Sequence, residues 1–220
     1  MQDPAHAAPY SDYEERVHTL MHGAGLGLSL VGGVWLVALA SKRDDTGLVI
    51  GCAVFGVSLI LLYGASTFYH GLRRGRAKRF LQKLDHASIF LLIAGTYTPV
   101  ALVSLRGSTG EILLVTIWSL AIIGIGLQVM LPAYAKHISV PLYLGMGWIA
   151  VIVLDPLVQA IPPGGIALLV AGGLAYTVGV VFYAWRSLPF NHAVWHGFVL
   201  VGSGCHFWCV LAYVIPAAAA

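Results

Sequence analysis

Long apolar runs separated by short polar breaks dominate the chain. The first run covers residues 17–40 and stops at the polar stretch 41–46. The second covers 47–69 and ends at a basic segment, 71–83. A third occupies 84–105, and a fourth, 112–131, is stopped by Pro132. The fifth covers 138–154, before Asp155-Pro156 and the turn 162–165; the sixth covers 166–185 and the seventh 192–215. Each is close to the roughly 20 apolar residues that cross a hydrocarbon core about 30 Å thick. The pattern predicts an all-α integral membrane protein, a bundle of seven transmembrane helices with no soluble domain. Residues 1–16 form a short segment before it, 17–215 the membrane domain and 216–220 a short tail.

Composition agrees. Hydrophobic residues make up 59% of the chain and charged residues 10%, against about 25% charged in soluble domains. The first sixteen residues carry Asp3, Asp12, Glu14 and Glu15 against one base, Arg16. This is unlike a basic, cleavable signal peptide, so the first span is expected to be retained. Lys and Arg then set the orientation. With the N-terminus inside, the inner segments hold Arg16, Arg73, Arg74, Arg76, Lys78, Arg79, Lys83, Lys136 and Arg186, and the outer ones only Lys42, Arg43 and Arg106. The N-terminus is therefore expected in the cytoplasm and the C-terminus outside, in a multi-pass cell-membrane protein (the inner membrane if bacterial).

That topology gathers a set of polar residues at one leaflet. Ser66 and His70 close the second span, Asp85 opens the third, and His192 and His196 open the seventh. Ionisable residues within membrane spans are costly and mark functional sites by default. Ser66/His70 and His192/His196 are each spaced i, i+4, on one helical face. Two imidazoles at that spacing can grip one metal, and His70 would supply a third nitrogen, which is the ligand number of catalytic zinc. Ser66, one turn deeper than His70, suits a water-holding role, and Asp85 suits a base. Asn191 is expected to cap the last helix, whose positive dipole end would favour neutral imidazole at His192. A proton relay or buried polar network uses the same residue types and remains an alternative.

Other features carry blander expectations. His6 and His137 read as interfacial anchors. Glu14, His18 and His22 recur every four residues and read as the wet face where the first helix begins, although His22 could face the site. His86 points about 100° away from Asp85 and reads as structural. The basic segment 71–83 reads as a topology determinant that could also attract anionic lipid, and nothing suggests nucleic acid. Gly23/Gly27 and Gly47/Gly51 allow close helix packing. Pro99 should kink the third span beside Thr96 and Thr98, whose hydroxyls can satisfy freed backbone groups. Cys52, Cys205 and Cys209 lie within spans; the last two, with His206, fall well away from His196 and read as no part of its site.

Taken together, Ser66-Thr-Phe-Tyr-His70, Asp85-His86 leading into Ala94-Gly-Thr-Tyr-Thr-Pro99, and His192-Ala-Val-Trp-His196 resemble the hemolysin III family. That is the bacterial branch of the progestin and adipoQ receptor family, which includes the adiponectin receptors. Tyr13-Glu-Glu-Arg16 with Thr19-Leu-Met-His22-Gly23 resembles the family's N-terminal motif. The resemblance runs from about residue 13 to 215. It implies seven helices with a cytoplasmic N-terminus, and zinc (Zn2+) on His70, His192 and His196 with Ser66 and Asp85 beside the water. For activity it implies hydrolysis of a lipid amide such as ceramide, drawn from the membrane lipids. The hemolysin III name implies instead lysis by membrane damage, or a role in membrane homeostasis with zinc as a structural clamp. Only sixteen residues precede the first span and five follow the last, so no hormone-binding domain is expected.

The charge bias makes a direct prediction. Reporter fusions within residues 71–83 should read cytoplasmic, and fusions at Ala220 should read external; a cytoplasmic C-terminus would overturn the orientation.

Overall fold

The computed structural model describes residues 10–73 and 75–217, apart from the side chain of Lys136. His6, Arg74 and the last three tail residues therefore lie outside the described residues. Among the described residues every regular element is helical, and seven helices are long and apolar enough to cross a membrane. These are α1 (Asp12–Ala40), α2 (Thr46–Gly71), α3 (Arg76–Ser104), α4 (Ser108–Met130), α5 (His137–Ala160), α6 (Pro163–Ala184) and α7 (Asn191–Ala217). Each packs on its neighbours in chain order, and α7 returns to α1, closing a ring. Short loops leave consecutive helices little choice but to be adjacent.

Two boundaries differ from the hydropathy reading. The helix of α3 begins at Arg76 rather than near residue 84, so Lys78 and its basic neighbours ride on a helix, not a loop. Helix α5 does not end near residue 154. It is helical from Pro132 to Trp148, passes through a tighter turn at Ile149–Val153 and resumes at Leu154–Ala160. Pro156 falls in the first turn of that last segment, where a missing N–H costs nothing. The Tyr97 hydroxyl repairs the irregular turn. It donates to the carbonyls of Met146 and Gly147, at 3.0 and 2.7 Å, and accepts the Ala150 N–H at 3.1 Å.

A π-helical stretch, Val100–Ser104, follows Pro99 directly, while Thr96 and Thr98 donate to the carbonyls of Leu92 and Ala94, both at 2.8 Å. Neither threonine hydroxyl bonds to the Gly95 carbonyl, the one left free by Pro99. Irregular backbone at membrane depth is tolerated where it is buried in protein, and Val100, Ala101 and Val103 are buried.

The interior is built on Leu36, Phe55, Leu59 and Tyr63 of α1 and α2, with a second cluster around Phe90, Ile117 and Met146. The buried Tyr63 hydroxyl donates to Ser203 Oγ at 2.9 Å, and the Tyr176 hydroxyl lies 2.9 Å from the same oxygen, joining α2, α6 and α7. Leu28, Val31, Ile112, Val115 and Ile152 face outward, as a protein dissolved in lipid requires. The close helix contacts fall partly where expected. A Cβ on Gly51 would meet the Pro99 Cα at 2.7 Å, and one on Gly56 would meet the Gly33 Cα at 3.1 Å, whereas Gly27 faces open space.

Gly51→Ala should therefore destabilise the protein by about 1–3 kcal/mol through overpacking. Gly27→Ala should be neutral, or stabilising by up to about 1 kcal/mol from helix propensity. Thermal unfolding in detergent compares the two.

Candidate metal centre

The site forms where the beginnings of α1, α3 and α7 meet the end of α2. Ser11 fixes the start of α1: its Oγ accepts the Glu14 N–H at 3.2 Å, and the Glu14 carboxylate accepts the Ser11 N–H at 3.0 Å. That capping box turns Glu15, His18 and His22, spaced three and four apart, onto the face continued by Gly25 and Ser29. The expectation of a wet stripe is thereby corrected. His18 is 0% exposed and His22 3%, and Glu14 alone serves the solvent-facing cap. The inward stripe is marked by Glu15 rather than Glu14, a difference of one residue that turns the helical wheel by 100°.

At the start of α7 a second expectation is corrected. Phe190, at φ 58°, occupies the cap position, and Asn191 is the first helical residue. Its amide instead donates to the carbonyls of Phe182 and Tyr183, at 3.2 and 3.1 Å. Those carbonyls belong to the last turn of α6, where Phe182 also accepts the Trp185 N–H, so Asn191 staples α6 to α7 at the turn that carries His192 and His196.

One ligand atom each from His70, His192 and His196 lie within 4.8 Å of one another, close enough to hold a metal ion; Glu15, His18 and His70 form a second such group. His192 Nε2 and His196 Nε2 stand 3.0 Å apart. His70 Nδ1 contacts Glu15 Oε2 at 2.6 Å, and Lys78 Nζ donates to Glu15 Oε1 at 2.7 Å. Among the described residues this leaves His70 Nε2 buried without a partner, along with His192 Nδ1, His196 Nδ1 and both nitrogens of His18 and of His22. His22 lies flat on His196, with ring centroids 3.5 Å apart at 12°. Tyr10 covers the cluster, packing on His18 at 4.9 Å and His192 at 5.0 Å; burial pushes its hydroxyl up to about 12, so it stays neutral.

Asp85 is buried beside Ser66 at the α2–α3 contact. Among the described residues Ser66 Oγ has no hydrogen-bond partner, and Asp85 belongs to neither group of converging ligand atoms. The structure thus brings together three of the five residues singled out from the chain, His70, His192 and His196, and sets the other two, Ser66 and Asp85, against each other. It adds Glu15, His18 and His22, whose signal was the three-four stripe on α1, and Tyr10, which precedes that helix and gave no signal of its own. His86 contributes its backbone carbonyl, which accepts the Tyr143 hydroxyl at 2.8 Å. Cys205 and Cys209 are free thiols outside both groups of ligand atoms, with the Cys209 thiol against the Gly165 carbonyl.

The residues fit a metal. Buried polar nitrogens without partners cost several kcal/mol in an apolar setting. A carboxylate on the far nitrogen of a ligating histidine is the usual means of fixing its tautomer and aim, and Glu15 stands in that relation to His70.

Fold and site together define a multi-pass membrane protein with a buried histidine cluster at one end of a seven-helix ring. Residues 10–207 match the family described as haemolysin-III related, and the chain belongs to that family. It is similar to Hemolysin-3 of Bacillus cereus, 43% identical over 93% of this chain and 94% of that protein. It is also similar to the Hemolysin-3 homolog of Bacillus subtilis (strain 168), 41% identical over 92% and 95%. The human Monocyte to macrophage differentiation factor is 26% identical over 92% of this chain and 85% of its own length. No solved structure matches the chain significantly.

The Glu15 contacts generate a prediction that needs no metal. Glu15→Gln should cost about 1.5–3 kcal/mol, the range for hydrogen bonds to charged groups. Lys78→Met should add little in that background, because the two side chains share one network. Unfolding of metal-stripped protein in detergent measures both.

Proposed function

We propose that this protein is a zinc-binding membrane hydrolase that cleaves a lipid amide of the ceramide type, with His70, His192 and His196 holding the metal. The observation that carries the reading is the convergence of three imidazoles from two helices, His70 and His196 buried and His192 half-buried, in a protein that also buries the Asp85 carboxylate outside the converging ligand atoms. Three imidazole ligands suit catalytic zinc, and no thiolate joins them to favour a softer metal.

Zinc, when bound, polarises an acyl carbonyl and acidifies water. The chain's own residues supply the rest. Glu15 accepts from His70 Nδ1 and keeps Nε2 aimed inward, with Lys78 anchoring the carboxylate. Ser66 Oγ, free of other partners, orients the attacking water. Asp85 takes that water's proton as its oxygen bonds to the acyl carbon, then returns it to the amide nitrogen as the C–N bond breaks. Tyr10 shields the cluster from bulk water. An apolar groove of about 290 Å³, lined by Val54, Val57, Leu61, Leu91 and Trp118, supports access for an acyl chain from the bilayer. Leu61 lies nine residues from His70, about 13 Å along α2.

A second reading draws on the name of a relative. Hemolysin-3 of Bacillus cereus is similar over nearly its full length, which favours membrane perturbation with the metal as a structural clamp. Both readings keep the proposed cytoplasmic N-terminus.

Purified protein should hold about one zinc, and Asp85→Asn should abolish release of fatty acid from a ceramide substrate while retaining it. Ser66→Ala should lose about 10- to 100-fold in affinity or activity. Replacing His192 and His196 together should remove the metal, whereas replacing Cys205 and Cys209 should not. Elemental analysis with a fatty-acid release assay checks these outcomes. Zinc without turnover, with red-cell leakage unaffected by Asp85→Asn, would favour the clamp; full zinc in the double-histidine variant would end the site assignment.

A further inference from the structure

We infer that His18 supplies a fourth imidazole to the metal position, so that the ion ties α1 to α2 and α7 and the resting site is closed by protein rather than open to water. The inference rests on the zinc-binding reading and refines it.

The ring positions carry the argument. The His18 centroid lies 4.7 Å from His70, 4.9 Å from His192 and 5.2 Å from His196. The other three separations are 5.2 Å for His70–His192, 5.1 Å for His70–His196 and 4.4 Å for His192–His196. Four imidazoles bound at about 2.0–2.1 Å in a tetrahedron hold their centroids about 5 Å apart. All six separations fall near that value, so the rings mark the corners of a nearly regular tetrahedron. His22 fails the same test. Stacked at 3.5 Å on His196, it is too close for both rings to point at one ion.

The state of His18 agrees with its position. It is 0% exposed, and neither nitrogen has a hydrogen-bond partner among the described residues. Its Nδ1 lies 4.0 Å from Glu15 Oε2, which is no hydrogen bond. A wholly buried imidazole with both nitrogens idle is costly, and turning the ring about its Cβ–Cγ bond costs no hydrogen bond. Four neutral imidazoles would leave a divalent charge uncompensated in a low-dielectric site. Glu15, bonded to His70 and near His18, brings negative charge to that side of the cluster.

A shell of four imidazoles holds zinc in the closed pattern of structural sites, whereas catalysis needs one open position. His18 is thus a resident ligand that a substrate carbonyl must displace. It sits in the first turns of α1, packed edge-on against Tyr10.

The test uses the full chain, purified in detergent, stripped of metal and reloaded with cobalt(II). Wild-type protein should show the intense visible bands of a four-coordinate nitrogen shell. His18→Ala should shift those bands, and free imidazole should restore them. Its zinc affinity should fall by more than the roughly 100-fold that marks the upper end of outer-shell effects. If His18→Ala does not fold, His18→Asn gives the same readout with a smaller change in polarity. Superimposable wild-type and variant spectra, with affinity lowered 100-fold or less, would overturn the fourth-ligand assignment and leave the three-histidine reading standing. Failure of wild-type protein to bind cobalt or zinc would overturn both.

Discussion

Everything at the histidine-bearing end of this protein follows from burying imidazole nitrogens where no water reaches them. In an apolar medium a polar group without a partner costs several kcal/mol, and at this end His18, His22, His70, His192 and His196 all carry such nitrogens. Ordinary packing would exclude them. Their retention on three helices that converge on one point is what makes the cluster a site rather than a set of helix ends. The same demand explains the company they keep. Glu15 and Lys78 form a charge-paired bracket around His70, Asn191 staples α6 to α7 below His192, and Tyr10 closes the top.

The rest of the ring is arranged so that this convergence can be held in lipid. Every backbone group at membrane depth must be satisfied inside the protein. The regular helices do this by themselves, and the irregular stretches rely on specific help. Tyr97 supplies donor and acceptor to the broken middle of α5. The π-helical turns after Pro99 and at Val210–Val214 are packed in the interior. Close contacts at Gly33/Gly56 and Gly51/Pro99 bring α1, α2 and α3 near enough for short side chains to fill the space between them. Because these contacts lie well along the helices from the histidines, they set the spacing of the bundle without competing for the site.

Membership of the haemolysin-III related family, with relatives in Bacillus and in Homo sapiens covering nearly the whole chain, shows that this architecture is shared well beyond one lineage. The names of those relatives speak of lysis and of cell differentiation, not of chemistry. What bears on chemistry lies in the site itself: converging nitrogens, a carboxylate set apart from them and a hydroxyl without a partner among the described residues.

The seven spans, the membrane class and the histidines of α2 and α7 were legible in the chain, because hydropathy periods and i, i+4 spacing are local properties. Ser66, His70, Asp85, His192 and His196 could be drawn to one end of the bundle simply by counting helices. The roles of Glu15 and His18 were not legible. A polar stripe where a helix begins looks the same whether it faces water or a neighbour, and only the return of α7 against α1 decides which. The same holds for Asn191, whose local signal as a cap was overridden by the carbonyls of the last turn of α6. Spacing along one helix thus determines which side chains share a face. What that face meets depends on residues far away in the chain, and tertiary packing alone decided that α1 would line the site.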